Sequence, residues 1–220
     1  MNVFDILVRF HRAFAGGLKV TLYLAGITWL AGLTGGTWMG ILAHRLRGVG
    51  IVLRSIAFLL AATPFLVMLY WATYPLQALL GVVIEPFYTA VTLLSILNIV
   101  GVAEICRTAL DDFPREYVLA ARVSGLSAMQ TVMRIELPLL LRQVFPSLLN
   151  LQVSMLQLTL FASLISVQEL FRVSQSIDSQ IHKPVEIYTA LAIFFIGVCA
   201  PINGLALWMK HRFTRDISER

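Results

Sequence analysis

The sequence predicts an all-α membrane protein with five transmembrane helices, and two observations lead to this prediction. First, 58% of its 220 residues are hydrophobic and only 13% are charged, whereas a soluble domain carries about 25% charged residues. Second, the charges are concentrated in short segments. They are separated by uncharged stretches long enough to cross a bilayer as a helix, which takes about 20 residues.

Five segments meet this length criterion. They are residues 20–43, 51–72, 86–104, 143–168 and 187–209, with approximate bounds. The second comes from a longer uncharged run, 55–84, in which Pro64 lacks a backbone N–H and is expected to kink the helix. After residue 72 we expect a short external segment that dips into the membrane or the protein interior.

The distribution of Lys and Arg predicts the orientation of the chain. Residues 44–54, residues 104–142 and the C-terminal tail together carry twelve of these cations, and the segments on the other side carry five. Because cytoplasmic segments are enriched in Lys and Arg, the N-terminus is predicted outside and the C-terminus in the cytoplasm. The basic N-terminal segment opposes this orientation, but the total favours it.

The N-terminal segment, residues 1–16, has the spacing of an amphipathic helix. Its apolar residues recur at helical intervals and are Val3, Ile6, Leu7, Phe10 and Phe14. We expect this helix to lie on the external membrane interface, and the alternative is a frayed start of the first span. The whole chain, 1–220, is then a single transmembrane domain.

A stripe of glycines follows one face of the first span. Gly32, Gly36 and Gly40 are spaced four residues apart, and small residues at this interval let two helix backbones approach closely. A second subunit could occupy the stripe, but packing against a helix of the same chain is the favoured interpretation.

Uncharged polar residues and one helix break lie at membrane depth and could line a translocation path. They are Thr63, Pro64, Asn98, Ser154, Gln157, Thr159 and Ser163. Hydrogen bonding between helices is the alternative role for such residues. The five span cores contain no Asp, Glu, Lys or Arg, which argues against a proton- or cation-coupled carrier. No nucleophile–base pair, and no Cys/His spacing of a metal site, indicates an enzyme.

The predicted cytoplasmic loop, residues 104–142, has the signals of a helix, a tight turn and a second helix. Pro114 is suited to a helix start, and Gly125 to a helix end. Ser127 with Gln130 resembles a capping box that starts the second helix, which is expected to end or kink at Pro138. Glu104 and Arg107 can form an ion pair at the root of this loop. Apolar residues near the turn need a partner, unless they fold back onto the bundle.

Within this loop, one spacing pattern resembles the signature loop of the permeases of binding-protein-dependent ABC importers. That signature reads Glu-Ala-Ala, three residues, Gly, nine residues, Ile, one residue, Leu-Pro. The matching residues here are Ala120, Ala121, Gly125, Ile135, Leu137 and Pro138. The resemblance implies that they contact an ATPase subunit, with Leu126 and Ser127 at the turn. Leu119 replaces the Glu, and Glu116 lies one turn earlier as a possible substitute.

Further segments resemble the branch of that family that imports polar amino acids. Thr63–Val67 is similar to its Thr-Pro-Leu-Leu-Val element, and Ala103–Arg107 to its Ala-Glu-Ile-x-Arg element. Two departures from this branch remove charged residues. Ala62 stands where an Arg usually precedes Thr-Pro, and Gln157–Leu160 stands where the branch usually has Lys-Asp-Thr-Ser. These departures leave the substrate open, with an opine, a small amine or a peptide as alternatives to an amino acid.

The resemblance implies a transport subunit, not an enzyme, in a bacterial inner membrane. Its implied partners are two ATP-binding subunits, a second permease chain (identical or related), an extracytoplasmic binding protein, an amino-acid substrate and membrane lipid, without nucleic acid. ATP and Mg would be bound by the ATPase subunits, because this chain has no phosphate-binding Gly-Lys-Ser/Thr loop. The rival function is a secondary carrier or channel that works alone.

Overall fold

The computed structural model describes the backbone of residues 2–218 and the side chains of residues 2–212. Within this part of the chain every regular element is a helix. The helices are α1 (Val3–Arg9), α2 (His11–Arg45), α3 (Arg47–Ala62), α4 (Phe65–Thr73), α5 (Pro75–Leu80), α6 (Pro86–Asp111), α7 (Arg115–Val123), α8 (Ala128–Ile165), α9 (Leu170–Ile181) and α10 (Pro184–Ser218).

Four of these helices, α2, α6, α8 and α10, are long and apolar enough to cross a membrane. The second predicted span, 51–72, corresponds to a broken element, in which α3 and the α4–α5 segment meet at an angle of 97°. The all-α, multi-span fold is therefore confirmed. The chain is a multi-pass membrane protein.

The kink predicted at Pro64 within the span 51–72 is a complete break of the helix. Helix α3 ends at Ala62, and Thr63 has an extended backbone with φ −105° and ψ 124°. A proline disfavours the helical conformation of the residue before it. The helix therefore ends before Thr63–Pro64, and the chain changes direction there instead of continuing as a kinked helix. Residues 75–80, expected in a short segment after the span, form α5.

The predicted N-terminal segment 1–16 is divided between α1 and the start of α2, which begins at His11 and not near residue 20. In α1, Ile6 is buried against Ile177 of α9 and Ile187 of α10. Phe4, on the opposite side, is exposed. Helix α1 is thus held by the bundle on one side, and its position at the membrane interface stays a prediction.

The glycine stripe of α2 is occupied by α6 of the same chain, as the favoured interpretation expected. A Cβ atom at Gly36 would lie 2.6 Å from the Val102 Cβ atom and 2.7 Å from the Ile99 carbonyl oxygen. At Gly40 it would lie 2.7 Å from the Ala103 carbonyl oxygen. The stripe includes a widened π-helical turn, Gly32–Gly36. Backbone contact at this distance is possible only because these positions lack side chains.

The remaining helices surround this pair. A cluster around Leu24, Leu69, Ala90 and Ile165 joins α2, α4, α6 and α8. A second cluster joins α2, α8 and α10, and its buried members are Ala25, Val153, Leu156 and Cys199.

We expect Gly36→Ala to lower the melting temperature of the detergent-purified protein, because the added methyl group would overlap α6 and overpacking costs about 1–3 kcal/mol. Gly26→Ala is the matched control in the same helix, since no atom lies within 4 Å of its would-be Cβ atom. Alanine there gains up to about 1 kcal/mol of helix propensity. Equal melting temperatures for the two variants would contradict the packing described for α2 and α6.

Candidate functional site

The turn between α7 and α8 is closed by a left-handed glycine. Gly125 has φ +77°, and its N–H donates to the Arg122 carbonyl oxygen at 3.0 Å. The Leu126 N–H donates to the Ala121 carbonyl oxygen at 3.1 Å. These bonds satisfy carbonyls at the end of α7. Gly125 therefore ends the helix as predicted, because a residue without Cβ adopts this conformation at low cost.

The predicted capping box at the start of α8 is also confirmed. The Ser127 Oγ atom accepts a hydrogen bond from the Gln130 N–H at 3.3 Å, and the Gln130 Oε1 atom accepts from the Ser127 N–H at 2.9 Å. Each side chain thus satisfies a backbone donor of the first helical turn. Together with Gly125, this box fixes the path of the chain around the turn.

Of the two outcomes predicted at Pro138, an end or a kink of the second helix, the structure excludes the end. The helix passes through Pro138 and continues to Ile165, so α8 is 38 residues long. The preceding turn, Val132–Glu136, is π-helical and widened. Such a turn accommodates the ring and the missing N–H of a following proline. The second helix of the helix–turn–helix is consequently continuous with a membrane-spanning helix.

The residues predicted to contact an ATPase divide into an exposed and an inner set. Ala120, Gly125, Ser127 and Leu137 are exposed, Ala121 is buried, and Leu126, Ile135 and Pro138 are half-buried. Large apolar side chains are exposed beside them, and these are Leu119, Val123, Met129 and Met133. Val123 is the extreme case, with 90% of its surface exposed. An exposed apolar surface of this kind is typical of a site that contacts another protein or the membrane.

At the root of the loop, the predicted Glu104–Arg107 pair is confirmed. The guanidinium of Arg107 contacts both carboxylate oxygens of Glu104, with Nη2 2.5 Å from Oε1 and Nε 3.1 Å from Oε2. The structure adds two groups that the sequence did not indicate. Arg107 also pairs with Asp111, and Asp111 pairs with His44 of α2.

Asn98, one of the predicted path residues, lies in a buried polar cluster between three helices. Its Nδ2 atom donates to the Thr28 carbonyl oxygen and to Gln152 Oε1, both at 2.9 Å. Gln152 Nε2 donates back to Asn98 Oδ1 at 3.2 Å, and Trp29 Nε1 donates to the Gln152 carbonyl oxygen at 3.0 Å. The cluster joins α2, α6 and α8. Gln152 was missed from the sequence, although an amide inside a span was the available signal.

The predicted path residue Thr63 lines a groove of about 520 Å³ between the bent α3–α5 element and α6. The lining contains neither acidic nor basic side chains. It comprises Thr63, Val67, Met68, Trp71, Ala72, Leu76, Gln77, Leu80, Ile84, Tyr88, Thr89, Thr92, Leu93 and Ile96. Within this lining, Gln77 connects α5 to α6 and to the segment before it. Its Nε2 atom donates to Thr89 Oγ1 at 3.0 Å, and its Oε1 atom accepts from the Ile84 N–H at 2.9 Å.

The other predicted path residues lie outside this groove. Pro64 is exposed at the start of α4, and Ser154 and Gln157 are exposed on α8. Thr159 and Ser163 are buried, and their hydroxyls donate to the carbonyl oxygens of Leu156 and Leu160, each at 2.7 Å. The structure therefore does not bring the seven residues together into one site.

Glu169 is a fully buried carboxyl group at the start of α9, between the spanning helices. Its Oε1 and Oε2 atoms accept from the N–H groups of Arg172 and Phe171 at 2.7 and 2.8 Å. Burial raises the pKa of Glu169 to about 7, although these two hydrogen bonds favour the charged form. The neighbouring Leu170 N–H donates to Thr21 Oγ1 of α2 at 3.0 Å, which anchors α9 on α2.

The raised pKa of Glu169 makes stability depend on pH. The folded protein holds a proton that the unfolded chain releases above about pH 4.5. The contribution of Glu169 to the free energy of unfolding is therefore present in full below that pH. It falls by about 3 kcal/mol in total as the pH rises through about 7.

Wild-type melting temperatures measured between pH 5 and 8.5 should fall more steeply than those of Glu169→Gln. Glu85→Gln, at the exposed start of α6, is the control and should parallel the wild type. Parallel curves for Glu169→Gln would contradict the burial of a titrating carboxyl.

Comparisons with known proteins agree with this architecture. Among solved structures, one described as an amino acid ABC transporter with histidines superposes with a TM-score of 0.81 at 22% identity, covering 96% of this chain and 99% of that one. The MetNI methionine ABC transporter in an inward-facing conformation gives a TM-score of 0.65 at 17% identity, covering 93% and 98%. At these identities the likeness concerns the fold.

Sequence relatives are more specific. The L-cystine transport system permease protein TcyL of Bacillus subtilis (strain 168) is 30% identical over 190 residues, which cover 82% of this chain and 79% of TcyL. The glutamine transport system permease protein GlnP of Escherichia coli (strain K12) is 30% identical over 202 residues, covering 89% and 90%. Residues 32–215 match the family described as binding-protein-dependent transport system inner membrane component. The chain belongs to this family of transport permeases.

Proposed function

We propose that this chain is a permease subunit of an ATP-driven importer of amino acids in the bacterial inner membrane. Family membership and the names of the relatives TcyL and GlnP support this proposal. The observation that carries it is the helix–turn–helix at Gly125, whose tip exposes apolar side chains and whose second arm continues into a span. Such a projection is suited to receive movement from a partner.

In this proposal the N-terminus lies outside and the C-terminus in the cytoplasm, so the Gly125 turn faces the cytoplasm. Two ATP-binding subunits dock there and carry out the hydrolysis with ATP and Mg. An extracytoplasmic binding protein delivers the substrate on the other side. A second permease chain, identical or related, completes the translocation path within the lipid bilayer.

Coupling would proceed through loop 119–138. Closure of the ATPase dimer moves α7 and the Gly125 turn, and Val123 and Met129 become buried against the ATPase. Because α8 is continuous from Ala128 to Ile165, a displacement at its loop end passes directly into the span. Leu119 offers an apolar contact where relatives of this family would present a carboxylate, and exposed Glu116 keeps a negative charge nearby.

The groove at the Thr63–Pro64 break is the part of the chain best suited to form the substrate path. Broken helices near the membrane centre commonly form transport sites, because their freed backbone groups can contact a substrate. The groove has no charged side chain, which favours an amino acid with no net charge. Ser154 and Gln157 would contribute where the second permease chain packs on α8. The buried Asn98, Thr159 and Ser163 would shape the path without touching the substrate.

We expect Gly125→Asp to disrupt coupling, because it adds a charge and a side chain at a left-handed, exposed turn. The variant should insert normally but lose the ATPase subunit that accompanies the wild type in mild detergent at a one-to-one ratio. Mass spectrometry of the purified complex measures this. Gly48→Asp adds the same charge at an exposed glycine near the start of α3 and should keep the subunit. Retention by both variants would exclude the turn as the docking site.

A bulky side chain placed in the groove tests whether the groove forms the substrate path. Thr63→Trp should lower the maximal uptake rate of L-glutamine or L-cystine by about tenfold or more, because a misplaced substrate is moved inefficiently. It should leave the ATPase subunit bound. Phe58→Trp, at a 71%-exposed position of α3 outside the groove, should transport like the wild type. Normal transport by Thr63→Trp would place the path elsewhere.

A further inference from the structure

The contact face between α2 and α6 extends one turn beyond the glycines. Continuing the four-residue spacing of Gly32, Gly36 and Gly40 leads to His44, near the end of α2. Its Nδ1 atom lies 2.7 Å from Oδ1 of Asp111, the last residue of α6. The same face therefore carries a polar contact at each end, with the Asn98 cluster at one end and the His44–Asp111 pair at the other.

Asp111 belongs to a larger ionic network in α6. Arg107 is 8% exposed and lies between two carboxylates on one helix face, Glu104 one turn before it and Asp111 one turn after it. Both Glu104 oxygens are occupied by the guanidinium, and the second Asp111 oxygen also contacts it. Arg54 of α3 adds a favourable charge interaction with Asp111. The Asp111 side chain is thereby fixed on the α6 side, and its remaining oxygen is directed to α2.

The position of this network in the chain suggests its role. Asp111 ends α6, and α7 begins at Arg115, so the loop that carries the Gly125 turn leaves α6 at this point. Followed along the chain through residues 112–114, a displacement of α7 reaches α6 at Asp111. The His44 contact joins this end of α6 to the end of α2, one turn beyond the glycine contact.

We propose that the His44–Asp111 pair is the joint through which movement of the coupling loop reaches α2, with His44 as a positioning residue and Arg107 as the group that holds Asp111 in place. The inference rests on the proposed coupling role of the loop. Because the two side chains are 39% and 40% exposed, the pair contributes little to stability. Its loss should change movement and not folding.

The test measures one distance in the complex that contains the ATPase subunits. Nitroxide labels are attached at Leu46→Cys and Asp112→Cys, two exposed positions that flank the joint, and their separation is recorded by pulsed electron paramagnetic resonance. The native thiols, Cys106 and Cys199, are buried, so the label reacts at the introduced cysteines. Spectra are taken without nucleotide and with ATP and vanadate. ATP hydrolysis without vanadate, and melting temperature, are measured on the same preparations.

In the otherwise unaltered complex the distance should stay narrow and unchanged when ATP and vanadate are added. In His44→Ala it should shift and broaden with ATP and vanadate, at an unchanged melting temperature. His44→Asn keeps a donor near the Nδ1 position and should restore the narrow distance. Arg45→Ala removes an exposed charge from the adjacent residue and should have no effect.

Two failures can be told apart. A narrow, unchanged distance in a His44→Ala complex that still hydrolyses ATP overturns the joint, as does a distance that shifts in the complex with His44 intact. Absence of ATP hydrolysis with His44 intact overturns the proposed function instead.

Discussion

The structure depends on the close approach of α2 and α6. Gly36 and Gly40 bring the two backbones into direct contact, and this contact leaves no room for a single added methyl group. In a bilayer, helices gain little from burying apolar surface against one another, so such packing and hydrogen bonds between helices determine the arrangement. The α2–α6 pair is the unit on which α3, α4, α8 and α9 pack, and α10 packs on α8 and α9.

The same contact determines where polar groups can lie. Near Gly32, α2 and α6 are close enough for the Asn98 amide to reach the Thr28 carbonyl oxygen and Gln152 of α8 together. An amide at membrane depth without partners would be costly, and this cluster satisfies both amide side chains. The uncharged groove and the apolar tip of the helix–turn–helix lie at separate places. The groove proposed for the substrate and the tip proposed for ATPase docking are thus two different surfaces.

Much of this arrangement could be predicted from the sequence, because its causes are local. Uncharged stretches located the spans, the four-residue glycine spacing located the helix contact, and Gly125 with the Ser127–Gln130 box located the turn. A residue with positive φ and a capping box depend on four or five neighbouring residues, which a single sequence displays.

The features that were missed depend on distant residues. Asn98 pairs with Gln152, 54 residues away, and His44 pairs with Asp111, 67 residues away. The 97° bend at Thr63–Pro64 was underestimated, because its size depends on how α4 packs, for example through the edge-to-face contact of Phe65 with Phe161. Pro138 was expected to end or kink a helix, and the helix continues through it after a widened turn. For the two polar pairs and the bend, tertiary packing decided between local alternatives.

The most direct measurement of the central claim is uptake of radiolabelled L-glutamine and L-cystine by proteoliposomes that contain the complex purified with this chain. The account predicts uptake only with ATP on the side of the Gly125 turn and the binding protein on the opposite side, and no uptake from an ion gradient alone. Uptake driven by a proton or sodium gradient without ATP would contradict the account and identify the chain as a carrier that works alone.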